Sequence, residues 1–312
     1  MFYVFAAHAM TDIEYHLSAE EQDARASWRP SHRDAHRGWQ DVLVSLPRRN
    51  KALALVVASL GLAACSGSGS SGGPPAGPAG SASAATGISI LVTNDDGVTA
   101  PGIDILVNRL RTLPNVAVTV VAPADNRSGA GGRTTPGALR SAPAATASGY
   151  QATAVDGYPA DTVRVALDDL KLHPRLVVSG INKGQNIGPI AAISGTVGAA
   201  RAAAQRGIPA IAVSTGTPAA DGQYDFAIGA DYAIREVQKE LTSPPNPATI
   251  ANLNVPSCAT GQVRGLQELP AENKPDVRAL ATSSCTSTRP PSTEVGSFVD
   301  GFAVLTRIPA RP

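Results

Sequence analysis

Asn94-Asp95-Asp96-Gly97-Val98 puts two adjacent carboxylates directly after Ile88-Ser-Ile-Leu-Val-Thr93, an apolar run that reads as a buried strand. Consecutive side chains on a continuing strand point to opposite faces. Gly97 and Pro101-Gly102 break the strand here and let both carboxylates turn to one side. Two carboxylates at a strand end suit a hard divalent cation, since Mg²⁺ takes oxygens at about 2.1 Å, often one or two carboxylates plus waters and a substrate phosphate. A plain Asp-Asp-Gly turn from strand to helix would have the same composition.

The elements that position such a site recur along the chain. Val116-Ala-Val-Thr-Val-Val-Ala122 reads as a second buried strand, ending in Pro123-Ala-Asp125-Asn126-Arg127-Ser128-Gly129. Leu176-Val-Val-Ser179 reads as a third, ending in Gly180-Ile181-Asn182-Lys183-Gly184-Gln185-Asn186. Between the first two, Gly102 to Leu110 carries apolar residues at helical spacing. Strand, helix and strand within about 30 residues form a βαβ unit with parallel strands. The expected fold is therefore α/β, an open, mostly parallel Rossmann-like sheet with helices on both faces and a short C-terminal extension. In such sheets ligands bind at the strand C-termini. Asp95, Asp96, Ser128 and Asn182 can thus converge as an all-oxygen set with two formal negative charges.

An anion subsite is expected beside it. Ser194-Gly195-Thr196-Val-Gly198 leads into an alanine-rich helix through Arg206, closed by Gly207 at C′. Ser194 suits the N-cap, and the small residues after it allow a phosphate to approach free N–H groups at the positive helix end. A serine cap on a small-residue packing helix would read the same way.

Ile90-Leu-Val-Thr-Asn-Asp-Asp-Gly-Val-Thr-Ala-Pro-Gly-Ile103, Val121 to Gly129, Val178 to Gly188, Ser194 to Ala200 and Gly207 to Ser214 together resemble the SurE family of survival-protein nucleotidases. The resemblance covers about Gly87 to Pro256, with an echo of that family's terminal strand near Phe298 to Pro309. It implies a metal-dependent 5′/3′-nucleotidase, a phosphomonoesterase acting on nucleoside monophosphates with Mg²⁺ or Mn²⁺. Asp95, Asp96, Ser128 and Asn182 fall on its metal ligands. Asn126, Gly129, Ser194, Gly195 and Thr196 fall on positions lining its phosphate pocket. Ala130-Gly-Gly-Arg-Thr-Thr135 and Gly157-Tyr158-Pro159 depart from the family pattern at the substrate rim. The short C-terminal part puts the family's long swapped hairpin in doubt, and the resemblance leaves a homodimer open.

In this reading the metal polarises a phosphoryl oxygen and acidifies a bound water. Asp95 is the expected ligand and proton acceptor, and Asn182, Asn126 and the Gly195-Thr196 helix end would stabilise the phosphoryl oxygens. A phosphoaspartyl route needs an Asp where Asn94 stands. The alternative is a lipid-anchored protein that binds nucleotides or divalent metal without turnover.

Composition sets outer bounds. With 312 residues, 43% of them hydrophobic, and a net charge of +1, the chain can bury one sizeable core and gives no basic balance for polymeric nucleic acid. His8, His16, His32 and His36 all lie near the N-terminus, and His173 alone remains in the later part, which excludes a multi-histidine zinc or phosphatase site there. His173, before Pro174, is expected on a surface loop.

Arg48-Arg49-Asn50-Lys51 and the apolar run Ala52 to Ala63 read as a signal peptide, shorter than the roughly 20 residues of a membrane span. Leu62-Ala63-Ala64-Cys65 resembles a bacterial lipobox, which makes Cys65 the expected lipidation site. The expected organisation is residues 1–47 as a disordered or mis-called extension, 48–65 as the signal peptide, 66–86 as a Gly/Ser/Pro/Ala tether, and 87–312 as the catalytic domain. The expected location is the bacterial cell envelope, with the membrane contacted only through the lipid anchor. In an exported chain the remaining Cys258 and Cys285 suggest a disulfide closing a C-terminal loop, with two buried thiols as the other option.

Overall fold

The computed structural model describes residues 87–218, 222–244 and 246–311. Expectations for residues 1–47, 48–65 and 66–86, including lipidation of Cys65, lie outside the described residues.

Among the described residues nine strands form one mixed sheet. In chain order, β1 is Ile88–Thr93, β2 Val116–Pro123, β3 Ser141–Ala145, β4 Gln151–Val155, β5 Leu176–Lys183, β6 Ala210–Thr215, β7 Thr249–Val255, β8 Leu266–Glu268 and β9 Ala303–Pro309. Their spatial order is β3-β4-β2-β1-β5-β6-β7-β9-β8. The five central strands β2, β1, β5, β6 and β7 pair in parallel, while β3 against β4 and β9 against β7 are antiparallel.

The helices are α1 (Pro101–Leu110), α2 (Pro159–Arg164), α3 (Gly195–Ala204), α4 (Phe226–Thr242) and α5 (Glu294–Val299). Period-two alternation sends Ile90 and Val92 of β1 to one face, with Ile103, Leu106 and Val107 of α1 and Ala230 and Val237 of α4. Leu91 goes to the other face, with Val163 of α2 and Val197, Ala200 and Ala203 of α3. Both faces are covered, and this is why β1, most of β2 and the start of β5 are nearly continuous apolar runs rather than alternating ones. Each fully buried Ile or Leu contributes about 1.5–3 kcal/mol.

The third strand runs further than the sequence suggested. It was expected to end at Ser179, but after a register shift the pairing with β6 resumes at Asn182↔Ser214 and Lys183↔Thr215. Asn182 therefore sits on the last rungs of β5 rather than in a free loop.

The start and end of α3 follow the expected local chemistry. Ser194 accepts the N–H of Val197 at 3.2 Å as N-cap. At the other end Gly207 lies at φ +82°, with Gly207 N bonded to Ala204 O and Ile208 N to Ala203 O, the double closure that a left-handed glycine permits. His173 is exposed, as expected.

A small third core joins the C-terminal part to the loop after β5. Ile187, Ala279, Val295, Phe298 and Val304 are buried together. Cys258 and Cys285 are joined by a disulfide with their Cα atoms 5.7 Å apart. Among the described residues no helix is long and apolar enough to cross a membrane.

Candidate active site

The turn after β1 is laced to its neighbours before any ligand is considered. Asn94 is fully buried, and its Nδ2 donates to Gly97 O at 2.8 Å. Gly97 lies at φ +103°, which a side chain would resist. Val98 N donates to Pro123 O at 2.8 Å, and Arg127 N to Asp95 O at 2.7 Å. These bonds tie the acidic turn to the segment carrying Ser128.

Asp95 is not on a surface turn: its relative exposure is 3%. Its Oδ1 accepts the Thr196 hydroxyl at 2.6 Å. No cationic side chain among the described residues forms an ion pair with it. Burial pushes its pKa up to about 6, with the Thr196 hydroxyl pulling down and the charge of Asp96 pushing up. Asp96 is half-buried, and burial raises it too, against the backbone N–H of Lys183. That N–H reaches Asp96 Oδ2 at 3.1 Å, and Asn126 Nδ2 reaches Oδ1 at 3.3 Å.

Asp95, Ser128, Gly129, Asn182 and Ser194 line one cavity of about 220 Å³ at the C-terminal edge of the parallel strands. Asn182 Nδ2 donates to Gly184 O at 2.7 Å and Lys183 O at 3.3 Å, so the amide hydrogens are spent on the backbone and its oxygen remains to accept a ligand. A larger cavity of about 690 Å³ lies around Arg111 and Tyr150 between β2 and β4, but no acidic side chain lines it.

Three expected phosphate-pocket residues, Asn126, Gly195 and Thr196, stand one step back from this cavity. Asn126 was expected to line the pocket, yet its Nδ2 holds Asp96 while its Oδ1 accepts Ser128 N at 2.9 Å. Thr196 was expected there too, but it is fully buried and its hydroxyl is committed to Asp95. The cause is the close packing of the α3 start on the acidic turn. A Cβ on Gly195 would lie 2.8 Å from Asp95 Cβ, so only glycine allows that approach. Gly195 is buried with it.

The loop after β5 is held by amides that the sequence did not single out. Asn186 N donates to Asn254 Oδ1 at 2.6 Å, Asn186 Nδ2 to Ser214 Oγ at 2.9 Å, and Asn252 Nδ2 to Asn186 O at 2.8 Å. Gln185 Nε2 donates to Ala279 O at 2.9 Å and Ala281 O at 3.1 Å, while its Oε1 accepts Thr217 N at 2.8 Å. Asn252 and Asn254 alternate with apolar residues on β7, and this polar face of a buried strand was the only available sign.

The donor set fits a hard cation. Two carboxylates, a hydroxyl and an amide oxygen are all-oxygen donors, and no cationic side chain among the described residues pairs with the buried Asp95. Among the described residues no group of three His, Cys, Asp or Glu side chains offers another metal site.

The sequence model of the family described as survival protein SurE matches residues 90–274. The chain is 42% identical over 176 residues to the 5′-nucleotidase SurE of Pelobacter propionicus, covering 56% of this chain and 68% of that protein. It is 38% identical over 179 residues to the 5′/3′-nucleotidase SurE of Photorhabdus laumondii, covering 57% and 67%. The crystal structure of the SurE protein from Aquifex aeolicus superposes with a TM-score of 0.58 at 27% identity, over 71% of this chain and 93% of that one. With a family match across more than half its length, on the same acidic turn, strand ends and capped helix that build this cavity, the chain belongs to the SurE family.

Proposed function

We propose that the chain is a metal-dependent phosphomonoesterase that hydrolyses nucleoside 5′-monophosphates, and 3′-monophosphates as a further substrate, to nucleoside and phosphate. The observation that carries this reading is the convergence of Asp95, Ser128 and Asn182 on one cavity, with Asp96 braced beside it. Relatives named as 5′- and 5′/3′-nucleotidases support the substrate class.

Mg²⁺ or Mn²⁺ is the proposed cation, and Asp95, Asp96, Ser128 and Asn182 would hold it. When bound, it supplies positive charge to a phosphoryl oxygen and acidifies a water. The chain's own residues do the rest. Asp95 and Asp96 bring the negative charge, Asn126 and Lys183 N–H fix Asp96, and Thr196 fixes Asp95. Asp95, the most desolvated carboxylate of the set, is placed to take a proton from the attacking water. Ser194 and Gly129 face the same cavity and bound the place of the phosphate. Asn94 is buried and bonded to the turn, which suits a structural role rather than a nucleophile's.

We further propose lipidation at Cys65, display at the bacterial cell envelope and, as an assembly, a homodimer. Support for the first two is the Leu62-Ala63-Ala64-Cys65 motif behind an apolar run. The dimer rests on the family likeness alone.

The test is phosphate release from AMP by the purified chain with Mn²⁺, with Mg²⁺ and with a chelator. Metal-dependent release is expected. Nucleotide binding without release would favour the alternative of a nucleotide or divalent-metal binding protein.

A further inference from the structure

Leu280 and Ile193 are large apolar side chains left 75% and 63% exposed, and both line the same cavity as Asp95, Ser128 and Asn182. Exposed leucines scattered singly need no explanation. This pair is neither scattered nor loosely held. Ile193 precedes the cap residue Ser194, and its carbonyl accepts Gly131 N at 3.0 Å. Half-buried Ile190 lines the cavity beside it. Leu280 closes a one-turn 3₁₀ segment, Val277–Leu280, whose Ala279 is 2% exposed in the C-terminal core.

The bracket for Leu280 comes from the active site itself. Gln185 bonds the carbonyls on both sides of Leu280, those of Ala279 and Ala281, and its oxygen holds Thr217 N. Three residues earlier on the same segment is Asn182. The Cys258–Cys285 disulfide pins the loop a few residues beyond. The chain thus spends a buried glutamine and a covalent link on presenting an apolar side chain to solvent at the mouth of a polar site.

We infer that Leu280 and Ile193, with Ile190, form the nucleobase subsite: apolar walls that take the face of the base while the phosphate lies at the carboxylate end. The inference rests on the nucleotidase reading above. A cavity of about 220 Å³ is below the roughly 300–1,000 Å³ that encloses a whole drug-sized ligand, so the base must lie at the rim, where these side chains stand. The side chains of this trio carry no donor or acceptor to read a base edge. Contact then scales with buried area, which favours purines over pyrimidines and separates adenine from guanine weakly. Leu280 lies past residue 274, where the family match ends.

The test compares AMP, CMP and ribose 5-phosphate, which has the sugar and phosphate but no base, on the full chain with Mn²⁺. The variants are Leu280→Ser and Ile193→Ala, each checked for an unchanged melting temperature. The expected result for Leu280→Ser is a KM for AMP raised about fivefold or more with kcat nearly unchanged, the pattern of lost uniform binding. The rise should be smaller for CMP, and KM for ribose 5-phosphate should stay within about twofold of wild type. An unchanged KM for AMP would overturn the inference, and so would an equal loss on ribose 5-phosphate. A wild-type chain that cleaves AMP no better than ribose 5-phosphate also overturns it, while leaving the phosphatase reading standing. Failure of wild type on all three substrates would instead strike the nucleotidase reading itself.

Discussion

The Thr196 hydroxyl donates to Asp95 Oδ1 at 2.6 Å, joining the first turn of α3 to the carboxylate at the end of β1 across 101 positions of sequence. The bond stabilises the charged form of a carboxylate whose pKa burial raises. Thr196→Val keeps the volume and removes the donor. The Asp95 pKa should then rise above about 6, so protons compete better with the cation. Titrating Mn²⁺ against AMP hydrolysis should show a large loss of apparent metal affinity near pH 6 and a smaller one at pH 8.5. An equal loss at both values would mean that Thr196 acts by packing alone.

Asp95 opposes folding when no cation is bound. Its folded pKa of about 6 lies above the ordinary 3.8, so the metal-free native state binds the proton more tightly than the unfolded chain does. The penalty is absent below about pH 4, grows as pH rises to about 6 and is full above that, where it reaches about 3 kcal/mol. Asp95→Asn should therefore melt at a higher temperature than wild type in chelator at pH 7.5, with the gap closing toward pH 4. Mn²⁺ should raise the melting temperature of wild type and leave that of the variant nearly unmoved. A variant less stable than wild type in chelator would refute this account of the carboxylate.

Gly195→Ala tests the close approach. Its Cβ would stand 2.8 Å from Asp95 Cβ, closer than such contacts occur, and a tight 3.1 Å from Pro159 Cγ, so the helix start and Asp95 must move apart. A shift of that kind at a ligand should cost on the order of 10²-fold in kcat/KM. Steady-state kinetics at saturating Mn²⁺ check it, and wild-type activity would mean that the helix start yields without disturbing the site.

Cys285→Ser removes the C-terminal link. A loop of this size should cost about 3–4 kcal/mol on the entropic estimate, read as a lowered melting temperature in oxidising buffer. Wild type treated with reductant should fall to the same value, and insensitivity of both would show that the small core around Phe298 holds the segment alone.

Much of this was legible because it depends on local chemistry. The apolar runs of β1, β2 and β5 marked strands buried on both faces, and parallel pairing brought Asp95, Ser128 and Asn182 to one edge. Ser194 read as a cap because its neighbours made a helix start. The role of Thr196 was not legible, since only the depth to which α3 packs on the acidic turn turns its hydroxyl to Asp95 and away from a ligand. Gln185 and Leu280 were hidden for a related reason. The partners of Gln185 are 32 to 96 positions away, Leu280 faces the solvent, and a single 3₁₀ turn leaves no periodicity.

The measurement that bears most directly on the central claim is phosphate release from AMP by wild type, Asp95→Asn and Asp96→Asn at matched Mn²⁺ concentrations, with native folding of each checked by circular dichroism. The account predicts metal-dependent release by wild type, abolished by chelator, and near-complete loss in both variants, because each removes one of the two charges that hold the cation. Full activity in both folded variants would contradict the site.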